Sequence, residues 1–315
     1  MEANERPRYL EIVGQTPDRL TATLKGIPKK LLLWTPSPGK WSILEIVCHM
    51  RDMEEDAYLA RYRRILGEEG PLLKNIDGDA YALEREYRKL KLGKVLGEWK
   101  KLRRETLKLL KNVKDDQWQR AGVHETDGPL TLDTVLRRQA VGNDEAHLGQ
   151  IEHIKLRHEL FQKYENGVRL VESAVKGTPE DILRRRPEPN KWSILENLSH
   201  LRVTEQIFQT RCMLIANSEK PSLSMYDNNE LAAKLKYNEQ NPAESLKEFK
   251  RLRADTLTLL RALSQKSWQR VGIHPKRGEM TLESLVKLLA DHDSNHATQI
   301  RVIREKFGAM RSATA

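Results

Sequence analysis

Along this chain apolar side chains recur every three or four positions with charged ones between them, most plainly in EWKKLRRETLKLLKNVK (Glu98 to Lys114) and EFKRLRADTLTLLR (Glu248 to Arg261). That is the period of an amphipathic helix with one face in a core and a wide face in water. The stripes and their punctuation predict helices near Thr16 to Lys25, Ser42 to Leu66, Leu92 to Lys111 and Thr131 to His158 in the first half. In the second half they predict helices near Tyr164 to Lys176, Ser193 to Asn217, Ala243 to Ser264 and Thr281 to Phe307. The basic residues between the leucines are expected on solvated helix faces. An irregular proline-bearing turn precedes the second helix of each half and a Trp-containing loop precedes the last. The chain therefore reads as all-α, with a four-helix bundle in each half.

The halves are copies. PGKWSILEIVCHMR (Pro38 to Arg51) returns as PNKWSILENLSHLR (Pro189 to Arg202), which sets an offset of 151 residues. WQRAGVH (Trp118 to His124) returns as WQRVGIH (Trp268 to His274), each followed by a polar loop and then TLDTVL or TLESLV. Domains are expected at 1–158 and 159–315, joined by a few residues around Leu160 and packed as an intrachain pseudo-dimer in a monomeric chain. From Thr131 to His147 there are 16 steps, against 15 from Thr281 to His296, so the last helix of the first copy holds one extra residue. A π-bulge would absorb it and would rotate the histidine face relative to the rest of that helix.

Composition narrows the function. The 315 residues carry a net charge of +10, with 38% hydrophobic and 32% charged side chains. Because the basic residues are interleaved along helix faces, and no helix-turn-helix, finger or RNP signature accompanies them, a nucleic-acid partner is not expected. No run of about 18 apolar residues occurs and the N-terminus lacks a basic-then-apolar pattern, so neither a membrane span nor export is expected, and the location is read as cytoplasmic. Cys48 and Cys212 fall in helical patterns of different halves and read as reduced structural thiols.

The candidate chemistry lies in the histidines. DHDSNHATQI (Asp291 to Ile300) holds His292, His296 and Gln299 in an HxxxHxxQ pattern, whereas GNDEAHLGQI (Gly142 to Ile151) keeps His147 and Gln150 but has Asn143 at the first position. Histidines four apart lie one turn above each other on one helix face and can grip one ion. His200, on the helix beginning at Ser193, can face them across the core. Three neutral imidazoles would leave an open coordination sphere, as catalytic sites do. On spacing alone, metal ligation and core packing stand about even.

Asn143 offers a poor ligand for zinc or nickel, so the first-half site reads as degenerate unless Asp52, Asp144 or Glu145 supplies a carboxylate. Those three are more simply exposed charges. Glu196, like Glu45 in the first copy, is a candidate general base one turn before His200. However, Ser193 to Glu196 has the S-x-x-E spacing of a capping box, which is the favoured reading. Asp291 and Asp293 flank His292 and are expected in solvent. Trp41 and Trp192 are expected to seal a bundle end, and His124 and His274 to fix the loop before the last helix. Gln299 and His274 remain candidates for supporting the ligands.

A tryptophan before Ser-x-x-Glu, a histidine four beyond that Glu, a W-x-R-x-G-x-H loop and a closing HxxxHxxQ helix together resemble the DinB/YfiT-like superfamily, over nearly the whole chain. The resemblance implies up-down-down-up four-helix bundles with a divalent metal held by three histidines in the groove, zinc or nickel first, manganese or iron after them. The implied ligands are His200, His292 and His296, with His49, Asn143 and His147 at the matching first-half positions. It further implies a hydrolase or a thiol-dependent transferase acting on a small molecule or a low-molecular-weight thiol. The leading expectation is one working metal centre in the second half. A non-catalytic metal- or ligand-binding module is the alternative, and nucleic-acid binding a distant third.

Overall fold

In the computed structural model, which describes residues 5–313, the chain divides into two compact units between Leu156 and Arg157. Each is a four-helix bundle. The first contains helix Arg6–Leu24, a long second helix over 43–67, helix Leu92–Lys111, and a last helix beginning at Leu132. The second contains the C-terminal part of helix Ala146–Val175, then Ile194–Asn217, Pro242–Ala262 and Leu282–Ala313.

Several boundaries differ from the sequence expectation for identifiable reasons. The break expected around Leu160 is helix, because His158 to Tyr164 contains neither Gly nor Pro to stop Ala146–Val175. The first helix starts at Arg6 rather than Thr16, and Pro17 lies inside it. Proline lacks the N–H that would bond the carbonyl four residues back. Here that carbonyl, on Val13, accepts instead from Arg103 Nη1 at 2.9 Å. The Trp-containing loops are short antiparallel hairpins, Ala121–His124 with Gly128–Thr131 and Val271–His274 with Gly278–Thr281. Gly128 and Gly278 take the positive φ of their tight turns, +74° and +71°.

The duplicated sequence drifts in register, and each step of the drift coincides with a π-helix. The offset of 151 at Ser42 and Ser193 falls to 150 at Trp118 and Trp268 and to 149 at His147 and His296. Between the first two anchors the first unit has a π-helix at Met53–Leu59, and before the third it has one at Arg138–Glu145. The matching second-unit helices, Ile194–Asn217 and Leu282–Ala313, are α-helical throughout. The extra residue before His147 is thus absorbed as expected, and a second insertion, unnoticed in the sequence, is absorbed the same way.

One buried arginine ties each bundle together. Arg103, expected on a solvated face, is fully buried on the third helix. It donates to Glu54 on the second helix at 2.9 and 2.7 Å, to Asp144 on the last at 2.6 and 3.0 Å, and to Val13 O on the first. Arg253 repeats the pattern with Glu205 at 3.1 and 2.8 Å, Asp293 at 2.6 Å and Tyr164 O. Asp144 and Asp293, expected exposed, are therefore core residues. Buried charges persist when they are paired, and each of these carboxylates is paired with its arginine.

Candidate metal centre

Helix Ile194–Asn217 begins at a capping box: Ser193 Oγ accepts from Glu196 N at 3.0 Å, and Ser193 N donates to Glu196 Oε2 at 2.8 Å. Arg186 also donates to Glu196. Both carboxylate oxygens are thereby engaged, which leaves Glu196 as a cap. The cap sets the helix's start, and His200, two turns on, is buried.

On the last helix, His292 and His296 meet His200, with ring centroids 5.1, 4.8 and 4.4 Å apart. One nitrogen from each lies within 4.8 Å of the others, and His200 Nε2 is 3.0 Å from His292 Nε2. Imidazole nitrogens sharing a tetrahedral ion at ordinary bond lengths stand about 3.4 Å apart, so the cluster fits a metal with small adjustments. Burial and the neighbouring imidazoles push His200 down to about 2 and His296 down to about 4. Both are neutral near pH 7, the form in which an imidazole can ligate an ion. Among the described residues this is the cluster of histidine, cysteine and carboxylate groups that could hold an ion.

The tautomer of His296 is set by a residue that sequence reasoning missed. Asn197 Oδ1 lies 2.7 Å from His296 Nδ1, so Nδ1 carries the proton and Nε2 is free to face an ion. Gln299 also interacts with His296. A signal existed: Asn197 puts a polar amide in the repeated motif where the first copy has the apolar Ile46. Asp293 does not reach solvent as expected but is committed to Arg253, and Asp291 pairs with Lys163 at the surface. Trp192, rather than only closing the bundle end, packs on His200 at 4.8 Å and stacks beside His296 at 6.4 Å. A cavity of about 550 Å³ opens from His200 and His292 and is lined further out by Thr204, Phe208 and His274. His274 is thus placed in the cavity wall, with its Nδ1 accepting from Lys276 N at 3.2 Å.

The first unit keeps the frame without the third imidazole. His49 and His147 face each other at 5.0 Å, with Trp41 on His49 at 4.6 Å. The π-turn does not swing His147 away, contrary to expectation, because the turn lies upstream and is complete before His147. Asn143 donates its amide N–H to Asp144 at 3.1 Å. None of the carboxylates proposed as substitutes is free: Asp52 is held by Arg51, Arg85 and Tyr87, Asp144 by Arg103, and Glu145 by Arg19. Asp52 is buried as well, not exposed. Gly78 closes the space above the ring, since a Cβ there would stand 2.8 Å from His49. His124 bonds Thr126 and Arg61 and so fixes its hairpin. Cys48 and Cys212 are buried and unpaired in disulfides, and burial pushes the Cys48 thiol up to about 12.

Two known proteins each match a little under half of this chain. YuaE, an uncharacterized protein of Bacillus subtilis strain 168, is 25% identical over 145 residues, which is 42% of this chain and 90% of YuaE. The structure of YfiT from Bacillus subtilis, described as a probable metal-dependent hydrolase with an unusual four-helix bundle topology, is 22% identical with a TM-score of 0.46. That match covers 48% of this chain and 87% of YfiT. The DinB superfamily model matches residues 13–151, which include His49, Asn143 and His147, and again residues 164–300, which include His200, His292 and His296. Matched once by each bundle, the chain belongs to the DinB superfamily.

Proposed function

We propose that the protein is a metal-dependent enzyme of hydrolase type with one divalent centre, held by His200, His292 and His296 in the second unit. The observation that carries this reading is the cluster itself: imidazole nitrogens within 4.8 Å, two of them on rings lining a cavity large enough for a small molecule. Imidazole ligands suit zinc or nickel ahead of manganese. A bound ion supplies Lewis-acid chemistry at the inner end of the cavity. The chain's own residues prepare for it. Asn197 fixes the His296 tautomer, Arg253 withholds Asp293 from the ion, and Trp192 covers the histidines against bulk water.

A non-catalytic metal-binding module is the second reading, favoured by the lack, among the described residues, of any aspartate or glutamate in the cavity lining to act as a base. A thiol bringing its own nucleophile would not need one, so thiol-dependent transfer stays within the first reading. The test begins with elemental analysis of purified protein. It should find about one metal per chain, lost in His296→Ala and kept in His147→Ala. Turnover of ester, amide or thiol-plus-electrophile panels that disappears in His200→Ala distinguishes the enzyme from the binding module. A protein that retains no transition metal refutes both.

A further inference from the structure

The cavity that opens from the histidines is cationic on one side and apolar on the other. Arg211, Lys276 and Arg277 lie in its lining, no carboxylate does among the described residues, and Phe208, Leu285 and Leu289 contribute an apolar wall. His200, Thr204, Phe208 and Arg211 follow one another at spacings of four, four and three, so they share one face of helix Ile194–Asn217. At 1.5 Å per residue, the Arg211 backbone is about 16 Å along the helix from His200, and its side chain tilts back toward the histidines. Anionic recognition and the candidate metal therefore sit at opposite ends of one slot with hydrocarbon between them.

The duplication supplies an internal control. In the first unit the counterparts of Lys276 and Arg277 are Thr126 and Asp127, and the counterpart of the lining residue Leu288 is Arg138, which pairs with Asp127. The counterpart of Arg211, Arg61, lies 3.0 Å from His124 Nε2 and donates to Lys74 O. Most of the positive charge is gone from the copy that lost its third histidine, where Arg61 remains and Arg138 is paired with Asp127. It is present in the copy that kept it, where Lys276 and Arg277 are exposed and form no ion pair among the described residues.

We propose that this slot takes an elongated small organic acid: an apolar body on the order of 10 Å, with its carboxylate held by Arg211 and drawn in by Lys276 and Arg277. Its opposite end reaches the histidine cluster, a placement that rests on the catalytic reading above. The acid end does not require the metal. Calorimetry on metal-free protein, where no ion can attract a carboxylate, compares octanoate with octanol as probes. Octanoate should bind about ten-fold more tightly, and Lys276→Gln/Arg277→Gln should weaken octanoate by about five-fold while leaving octanol unchanged. Arg211→Gln should weaken octanoate further. Because Arg211 also donates to Ser224 O, the double variant at the exposed positions is the decisive one. Equal binding of the two probes, no binding of either, or octanoate binding that the double variant leaves intact would each overturn the proposal. The metal count is measured separately. Loss of the metal with octanoate selectivity retained defeats the catalytic reading alone, and the reverse defeats this one alone.

Discussion

Asn143 and His292 occupy equivalent places, one residue before an aspartate that grips a buried arginine and four before a histidine that faces the second helix. A single side chain thus separates a pair of imidazoles from a cluster of three. The contrast with Asn197 and Ile46 runs the same way, since the oxygen that orients His296 is missing where the third histidine is missing. Asn197→Ile should therefore fold normally, because isoleucine is accommodated at that place in the other copy. It should lower metal affinity by about 10–100-fold in a chelator competition, and unchanged affinity would remove Asn197 from the site. Conversely, Ile46→Asn with Asn143→His should raise the metal content toward a second equivalent. A content that stays near one would mean that Gly78, lying against the His49 ring, closes the first cluster whatever its ligands. The histidines were legible in the sequence because HxxxH and the duplicated motif mark them. Asn197 was not, because an asparagine inside a helix has no fixed spacing signature and its purpose depends on a residue 99 positions away.

Helices were legible as periodic stripes, and their errors were errors of punctuation. Leu92–Lys111 stands where periodicity put it, because a clear apolar stripe and a terminal asparagine agree. The first helix was expected to begin near Thr16, but Pro17 is an interior residue of a helix that starts at Arg6, and the Val13 carbonyl it cannot bond is taken by Arg103, a long-range contact that no local rule contains. The same limit hid Arg103 and Arg253 among basic residues that do face water. The capping box at Ser193 to Glu196, by contrast, is wholly local and was readable. Its consequence is that Glu196→Gln should cost about 1 kcal/mol in a denaturant titration while leaving metal content unchanged. If it instead abolished turnover with stability intact, Glu196 would be a catalytic base after all.

Across the whole chain, both bundles hang on buried ionic groups, so both should respond to changes in charge. Arg253→Met leaves Glu205 and Asp293 buried without a counter-ion and should cost about 3–5 kcal/mol in unfolding free energy; a cost below about 1 would show that the pocket rehydrates easily. Acid should act through the histidines as well. His49 is pushed down to about 4, chiefly by burial and then by His147, below the value of about 6.5 it regains on unfolding. The unfolded chain is then the better proton binder, so this part of the stability is complete above about pH 6.5 and drains as pH falls toward 4. Thermal melts of metal-free protein should show that slope, reduced in His49→Gln; a variant with the wild-type slope would contradict it. The two π-turns of the first unit bear on how such a chain can change over time. An added residue inside a regular helix turns everything beyond it by about 100°, which would tear Asp144 from Arg103. Taken up as a widened turn, the addition acts like an expansion joint in a bridge deck: length accumulates at Met53–Leu59 and Arg138–Glu145 while the spans on either side stay bolted. Removing one residue from each joint should then leave every span in place, with the first bundle brought to the length of the second.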